Sequence, residues 1–197
     1  MISDMSERNA LFPIFIKLSQ VDTLVVGGGN VGLEKLGALT GSDPSARVLV
    51  VAFKASEALK AFIKDFPYVT LAERAFELTD LEGKQLVICA TGNPDLNEII
   101  RRETEKRRIL LNIADTPDLC DFYLSSVVTK GNLKIAISTN GKSPTLAKRL
   151  KELLSEALPE EVDEVLLHLS ALRNRMKGDL PEKIRKLNEI TKSLLDE

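Results

Sequence analysis

The apolar residues of this chain come first in short unbroken runs and later at helical spacing. Aliphatic and β-branched runs occupy residues 23–26, 48–52, 69–72, 86–90 and 109–113. Between them lie helical patterns over 30–40, 56–65 and 94–106. Continuous apolar strands separated by helices predict a parallel sheet covered on both faces, since a strand buried on both sides needs no polar alternation. The helix over 94–106 is well marked: Asn93 and Pro94 open it, and Lys106, Arg107 and Arg108 close it, complementing the helix dipole at both ends.

After Asp115 the rhythm changes. Residues 122–129 and 133–138 predict two strands joined by a turn at Lys130-Gly131-Asn132. Ser143 and Pro144 then suit the N-cap and first position of a helix. From there to residue 197 the pattern is helical, with breaks at Leu158-Pro159 and over 178–181. Leu146, Leu150, Leu153 and Leu154, followed by Val162, Val165, Leu166, Leu169 and Leu172, define a stripe expected to be buried. The predicted class is α/β: a Rossmann-like parallel sheet, then a hairpin, then a C-terminal helical region. The corresponding boundaries are 1–124, 125–145 and 146–197.

Composition adds limits rather than detail. Over 197 residues, 44% hydrophobic and 28% charged content fits one large domain or a domain with a small appendage. A net charge of −2 gives no global attraction for nucleic acid or an acidic membrane surface, and the apolar runs are strand-sized. Residues 1–10 are polar and lack a secretory core, so a cytoplasmic location is expected. In that compartment a Cys89–Cys120 disulfide is not expected, and Cys89, closing an apolar strand, reads as a buried reduced thiol. The single histidine, His168, cannot anchor a histidine-based metal site and reads as a helix-surface or interface residue.

Candidate chemistry begins at Gly27-Gly28-Gly29-Asn30-Val31-Gly32, a GxGxxG pattern between a strand and a helix. Gly27 permits the tight turn, Gly29 lets backbone approach a pyrophosphate, and Gly32 allows close helix–strand packing. The following helix start offers N–H groups to the phosphates. The acid that usually ends the second strand and grips the ribose is missing: the chain reads Ala52-Phe53-Lys54 there. Phe53 suits the adenosine, whereas Lys54 suits a ribose, a 2′-phosphate or simply the start of the next helix, so NAD and NADP both remain open at this position.

Two later strand ends carry polar residues, Thr91 and Asn112, expected to flank the cofactor groove near the nicotinamide if their strands are neighbours. Asp115 follows three residues after Asn112, where a carboxylate could take a proton while a hydride leaves to the nicotinamide. Asp118 and Asp121 read as turn or capping acids, and Arg101, Arg102, Lys106, Arg107 and Arg108 as a solvated helix face. Lys142 and the helix start at Ser143, with Thr139 before them, form a second anion-binding candidate, against the plainer alternative of a helix cap.

Several blocks together resemble the siroheme synthase family: 11–18 (LFPIFIKL), 25–31 (VVGGGNV), Ala90-Thr91, 112–117 (NIADTP), and 135–144 (IAISTNGKSP) with Leu146-Ala147. The resemblance implies NAD-dependent oxidation of precorrin-2 to sirohydrochlorin, and in some members ferrochelation with ferrous iron as a substrate. It puts Asp115 on the family's catalytic aspartate, and Asn30, Val31, Phe53 and Lys54 on cofactor-contacting positions. Thr139 falls where some relatives have a serine beside the tetrapyrrole site. A short strand over 11–18, a homodimer formed through the segment after Asp115, and no methyltransferase domain before the end at Glu197 are further expectations. Two competing readings are a chelatase that has lost the oxidation step and a nucleotide-sensing regulatory module. The latter leaves the 112–117 and 138–144 blocks without a use.

Overall fold

The order of the parallel strands follows from where each crossover helix packs. A computed structural model describes residues 9–192. Five strands, β1 (Asp22–Val26), β2 (Arg47–Ala52), β3 (Val69–Glu73), β4 (Leu86–Cys89) and β5 (Leu110–Ile113), pair in the order β3-β2-β1-β4-β5, all parallel. Helices α1 (Asn30–Ser42), α2 (Glu57–Ile63) and α3 (Pro94–Arg107) make the main connections. This is the doubly wound arrangement that the apolar runs predict.

The sheet has one core on each face. Val25, Val48, Val50 and Ile88 meet Leu36, Leu39 and Leu59 of α1 and α2 on one side. Leu24, Val26, Val51, Val87, Cys89 and Leu111 meet Ile100 of α3 on the other. Alternate residues of one strand thus serve opposite cores, which is why polar alternation is absent.

Local chemistry fixes the helix ends. Ser56 Oγ accepts from Leu59 N at 3.2 Å, and Asn93 Oδ1 accepts from Leu96 N at 3.2 Å, each satisfying an otherwise orphaned donor. Pro94 sits in the first turn of α3, and Arg108 closes that helix in the left-handed region at φ 55°. The α1 start has no side-chain cap, because Gly29 occupies that position.

The chain divides into two compact units. One is Ala10–Leu124; the other holds the described residues from Ser125 onward together with Asn9. In the second unit β6 (Ser126–Lys130) and β7 (Leu133–Ile137) form an antiparallel hairpin with Lys130 paired to Leu133. Gly131 turns it at φ 54°, where a Cβ would also strike the Asp163 carboxylate. Helices α4 (Pro144–Ala157), α5 (Val162–Arg175) and α6 (Leu180–Thr191) follow.

Three expectations change. Residues 11–17 are irregular and lead into a 3-10 turn at Leu18–Gln20, so among the described residues no strand precedes β1. The first hairpin strand begins at Ser126 rather than 122, because Phe122 and Leu124 pack against the core beneath α1 and α2. The helical stripe after residue 144 is not buried within the chain. Leu146, Leu153 and Val165 are 51%, 59% and 43% exposed, since a two-stranded hairpin is too small to cover three helices. Residues 1–8, which include most of the polar N-terminal stretch, lie outside the described residues.

Candidate functional site

Connections from β1 and β4 leave in opposite directions, so the C-terminal ends of these neighbours open a crevice at the switch point of the sheet. A groove of about 690 Å³ lies there, walled by Gly27–Gly29, Phe53 and Lys54, Ala90 and Thr91, and Leu96 and Ile99 of α3. Five of the sequence-predicted residues, Gly27, Gly29, Phe53, Lys54 and Thr91, therefore share one groove.

Each glycine of the loop answers to a different constraint. Gly27 has φ 125°, and a Cβ there would lie 2.2 Å from the Ala90 carbonyl oxygen. A Cβ on Gly32 would lie 2.2 Å from the Gly27 carbonyl oxygen, so α1 can approach the loop only without a side chain. Gly29 differs: its backbone is extended and a Cβ would meet nothing within 4 Å. No protein neighbour demands glycine there, and the open space faces the groove. Just beyond it, the first-turn N–H groups of Asn30, Val31 and Gly32 precede the first intrahelical bond, from Leu33 N to Gly29 O at 3.0 Å. No acid stands in that turn. A diphosphate fits this cradle on charge, donors and space.

Gly28 was missed by reading the GxGxxG positions alone. A Cβ on it would come within 2.8 Å of Ala52, Lys54 and Ala55 atoms, and its carbonyl accepts from Ser56 N at 2.8 Å. The glycine loop is thereby docked on the turn after β2. That turn has a second anchor, Glu73, the β3 partner of Ala52. Glu73 Oε1 accepts from Ala55 N at 2.9 Å and Oε2 pairs with Lys60 at 3.0 Å. The Ala55 N–H, then the Lys60 ammonium, hold this carboxyl below the usual carboxylate range. Only the pairing of β2 with β3 brings Glu73 to this turn, 19 residues downstream of Lys54.

Thr91 lines the groove while its hydroxyl is used locally. Oγ1 donates to Asn97 Oδ1 at 2.7 Å and accepts from Asn93 N at 3.0 Å, fixing the approach to α3. Asn112 has a different task from the one expected. It is 7% exposed on the opposite face of the sheet from α3, beside Ile88, outside the groove lining. Its amide donates to the Phe122 carbonyl at 2.8 Å. Alternation along β5 explains this: Leu111 and Ile113 face the α3 core, so Asn112 must face away.

The acidic rim after β5 is a laced loop. Ala114 N donates to Cys89 O at 2.9 Å, extending the ladder by one residue. Asp115 follows, exposed and left-handed at φ 60°, a conformation that Asp tolerates better than most residues. The chain then folds back along the free edge of β5. Asp121 Oδ2 accepts from Leu111 N at 2.9 Å, Asp121 N donates to Leu111 O at 2.7 Å, and Ile113 N donates to Cys120 Sγ at 3.1 Å. An edge strand so covered cannot recruit another strand. Asp121 also pairs with Arg101 at 2.6 Å, which removes Arg101 from the solvated helix face assigned to it. Asp118 lies exposed in the turn. Cys89 is fully buried, and desolvation pushes its thiol up to about 12, which keeps it protonated at neutral pH.

In the second unit, Thr139 and Ser143 build a turn. Thr139 Oγ1 donates to Ser143 O at 3.1 Å and accepts from Ser143 N at 3.2 Å, while Ser143 Oγ caps α4 by accepting from Leu146 N at 3.2 Å. Asn140 and Gly141 are both left-handed, at φ 54° and 73°, and Lys142 is exposed at the helix start. Both hydroxyls are thus used within the turn and cap at the start of α4, beside Lys142. His168 is exposed on α5. Among the described residues, no group of three His, Cys, Asp or Glu side chains is placed to hold a metal ion, and no helix is long and apolar enough to cross a membrane.

Comparison with known proteins extends this geometry. Residues 14–126 match the NAD(P)-binding family model, and residues 130–157 match the model for the central part of sirohaem biosynthesis proteins. The siroheme synthase of Methylococcus capsulatus is 35% identical over 170 residues, 86% of this chain and 35% of that protein. The siroheme synthase of Citrobacter koseri is 36% identical over 171 residues, 84% of this chain and 35% of that protein. This chain thus spans about a third of the length of the curated relatives it matches. The solved structure of SirC, precorrin-2 dehydrogenase, superposes with a TM-score of 0.72 at 24% identity, over 91% of this chain and 89% of that chain. At that identity the likeness shows a shared fold.

Proposed function

The chain belongs to the siroheme synthase family, and from that membership we propose that it oxidises precorrin-2 to sirohydrochlorin, with NAD as acceptor, in siroheme biosynthesis. One observation carries the reading: a glycine cradle at the β1–β4 switch, with open space at Gly29, lies one strand from an exposed left-handed carboxylate, Asp115.

Bound NAD supplies the hydride acceptor. The backbone of Gly27 and Gly29 and the first-turn N–H groups of Asn30, Val31 and Gly32 hold the pyrophosphate. Phe53 and Lys54 take the adenosine side, and the Thr91 backbone borders the nicotinamide side. Oxidation removes a hydride and a proton from the substrate, and a carboxylate oxygen of Asp115 accepts the proton. A positioned base of this kind is worth roughly 10²–10⁴-fold in rate. Asn112 acts at a distance in this scheme, by holding the loop that carries Asp115.

The tetrapyrrole is rich in carboxylates, and in the second unit we assign Lys142 and the start of α4 at Thr139 and Ser143 to anion binding. Ferrochelation of sirohydrochlorin extends the same reading: the four pyrrole nitrogens hold the ferrous substrate while a protein carboxylate removes their protons. The exposed stripe on α4 and α5 supports a homodimer in which a second copy covers it, and the family's bacterial setting supports a cytoplasmic location. Anaerobic incubation with precorrin-2 and NAD, followed by ferrous iron, tests the reading. NADH formation supports the dehydrogenase, and its absence removes it.

A further inference from the structure

We propose that Glu73 sets the preference of the nucleotide groove for NAD over NADP, by cancelling the cations that would otherwise receive a 2′-phosphate. The inference rests on the cofactor reading above and adds to it the residue that chooses between the two nucleotides.

In this fold the adenosine ribose lies outside the end of β2, where an acid usually accepts its hydroxyls. Here that end is Ala52-Phe53-Lys54, with Lys54 in the groove wall. A lone lysine at this place would favour NADP, since a phosphate monoester carries about −1.5 to −2 charges at pH 7. Lys54 is not alone. Glu73 ends the neighbouring strand in register with Ala52, and its carboxylate reaches across to the Ala55 N–H, one residue past Lys54. Lys60, one turn into α2, is shared between Glu73 at 3.0 Å and Glu57 at 3.3 Å. Two lysines thus face two glutamates around the turn, and the local charge sums to zero. The attraction between Lys54 and Glu73 also contributes to the low proton affinity of the Glu73 carboxyl. A ribose with free hydroxyls is indifferent to this balance, whereas a doubly charged phosphate meets the field of Glu73 within one Debye length.

Glu73 also positions the turn, so the test separates charge from shape. Glu73→Gln keeps an oxygen to accept from Ala55 N and deletes only the charge. Lys60→Gln, on a half-exposed helix face, deletes a cation and disturbs no backbone bond. Fluorescence titration with NADH and with NADPH, without any tetrapyrrole, gives the ratio of the two dissociation constants for each protein. The wild type is expected to favour NADH. Glu73→Gln should move the ratio toward NADPH by roughly tenfold, the effect of one charge acting on a divalent phosphate at a solvated distance, and Lys60→Gln should move it the other way by about threefold. A wild type that binds neither nucleotide overturns the cofactor reading and this inference together. A wild type that prefers NADPH, or one that binds NADH while both variants leave the ratio unchanged, overturns the role of Glu73 alone. Should Glu73→Gln fail to fold, an unchanged ratio in Lys60→Gln has the same force.

Discussion

The Asn112 side-chain amide donates to the Phe122 carbonyl at 2.8 Å, clamping the far end of the acidic loop to the strand that begins it. Asn112 is buried, so loss of this donor leaves a carbonyl without its partner. Asn112→Leu is expected to cost about 1–3 kcal/mol in urea denaturation. The loop carrying Asp115 loosens with it, so kcat should fall while NADH affinity by fluorescence stays near the wild-type value. A variant that loses NADH binding but keeps its stability would return Asn112 to the cofactor site.

Gly29 and Gly27 should respond to alanine in opposite ways. Gly29→Ala meets no protein atom within 4 Å and has an ordinary backbone conformation, so its stability should stay within about 0.5 kcal/mol of wild type. Its NADH affinity should fall at least about tenfold, because the methyl group occupies space the pyrophosphate needs. Gly27→Ala collides with Ala90 and should lose folding stability itself, seen as a lower melting temperature.

Asp115→Asn should retain NADH binding and lose about 10²–10⁴-fold in precorrin-2 turnover. Asparagine is the informative replacement because it keeps the size of the side chain and tolerates φ 60° as aspartate does. Near-normal turnover in this variant would remove Asp115 from the role of base.

Arg74 and Asp80 predict a pH-dependent contribution to stability. Their two hydrogen bonds, at 2.9 and 2.5 Å, and a third from Glu77 N at 2.9 Å, hold Asp80 ionised in a buried position. The Arg74 guanidinium is the main cause of its lowered proton affinity. A depressed carboxyl stabilises the fold above its unfolded value, near 3.9, and the contribution is lost as pH falls through the lower folded value. Asp80→Asn should therefore cost about 2 kcal/mol at pH 7, a figure reduced from the fully buried case because Arg74 is partly exposed. The gap between variant and wild type should narrow below pH 4 in urea denaturation series.

Thr23 lies in β1 with its hydroxyl buried and, among the described residues, without a hydrogen-bond partner. Valine has nearly the same shape and brings no polar group into the core. Thr23→Val should stabilise the protein by about 1 kcal/mol, seen as a higher denaturation midpoint at unchanged slope.

Much of this molecule is written in local patterns. The five apolar runs mark the strands because each is short, apolar and bounded by turn or helix signals, and β3 at the sheet edge is one of them although Thr70 and Glu73 are exposed. Asn93-Pro94 and Ser143-Pro144 fix helix starts because capping needs only neighbours in the chain. Gly27, Gly29 and Gly32 are legible for the same reason: the turn they make is local. What local patterns do not show is which side chains meet across the sheet. The alternation of β5 sends Asn112 away from the groove, and the pairing of β2 with β3 delivers Glu73 to a turn whose own acid is missing. The pairing of Arg101 with Asp121 depends on a loop returning along an edge strand, and the uncovered leucines after residue 144 on how little surface a hairpin offers. Local spacing determines elements because it acts through bonds and nearest turns. Pairings between distant residues depend on strand order and register, which only the folded sheet decides.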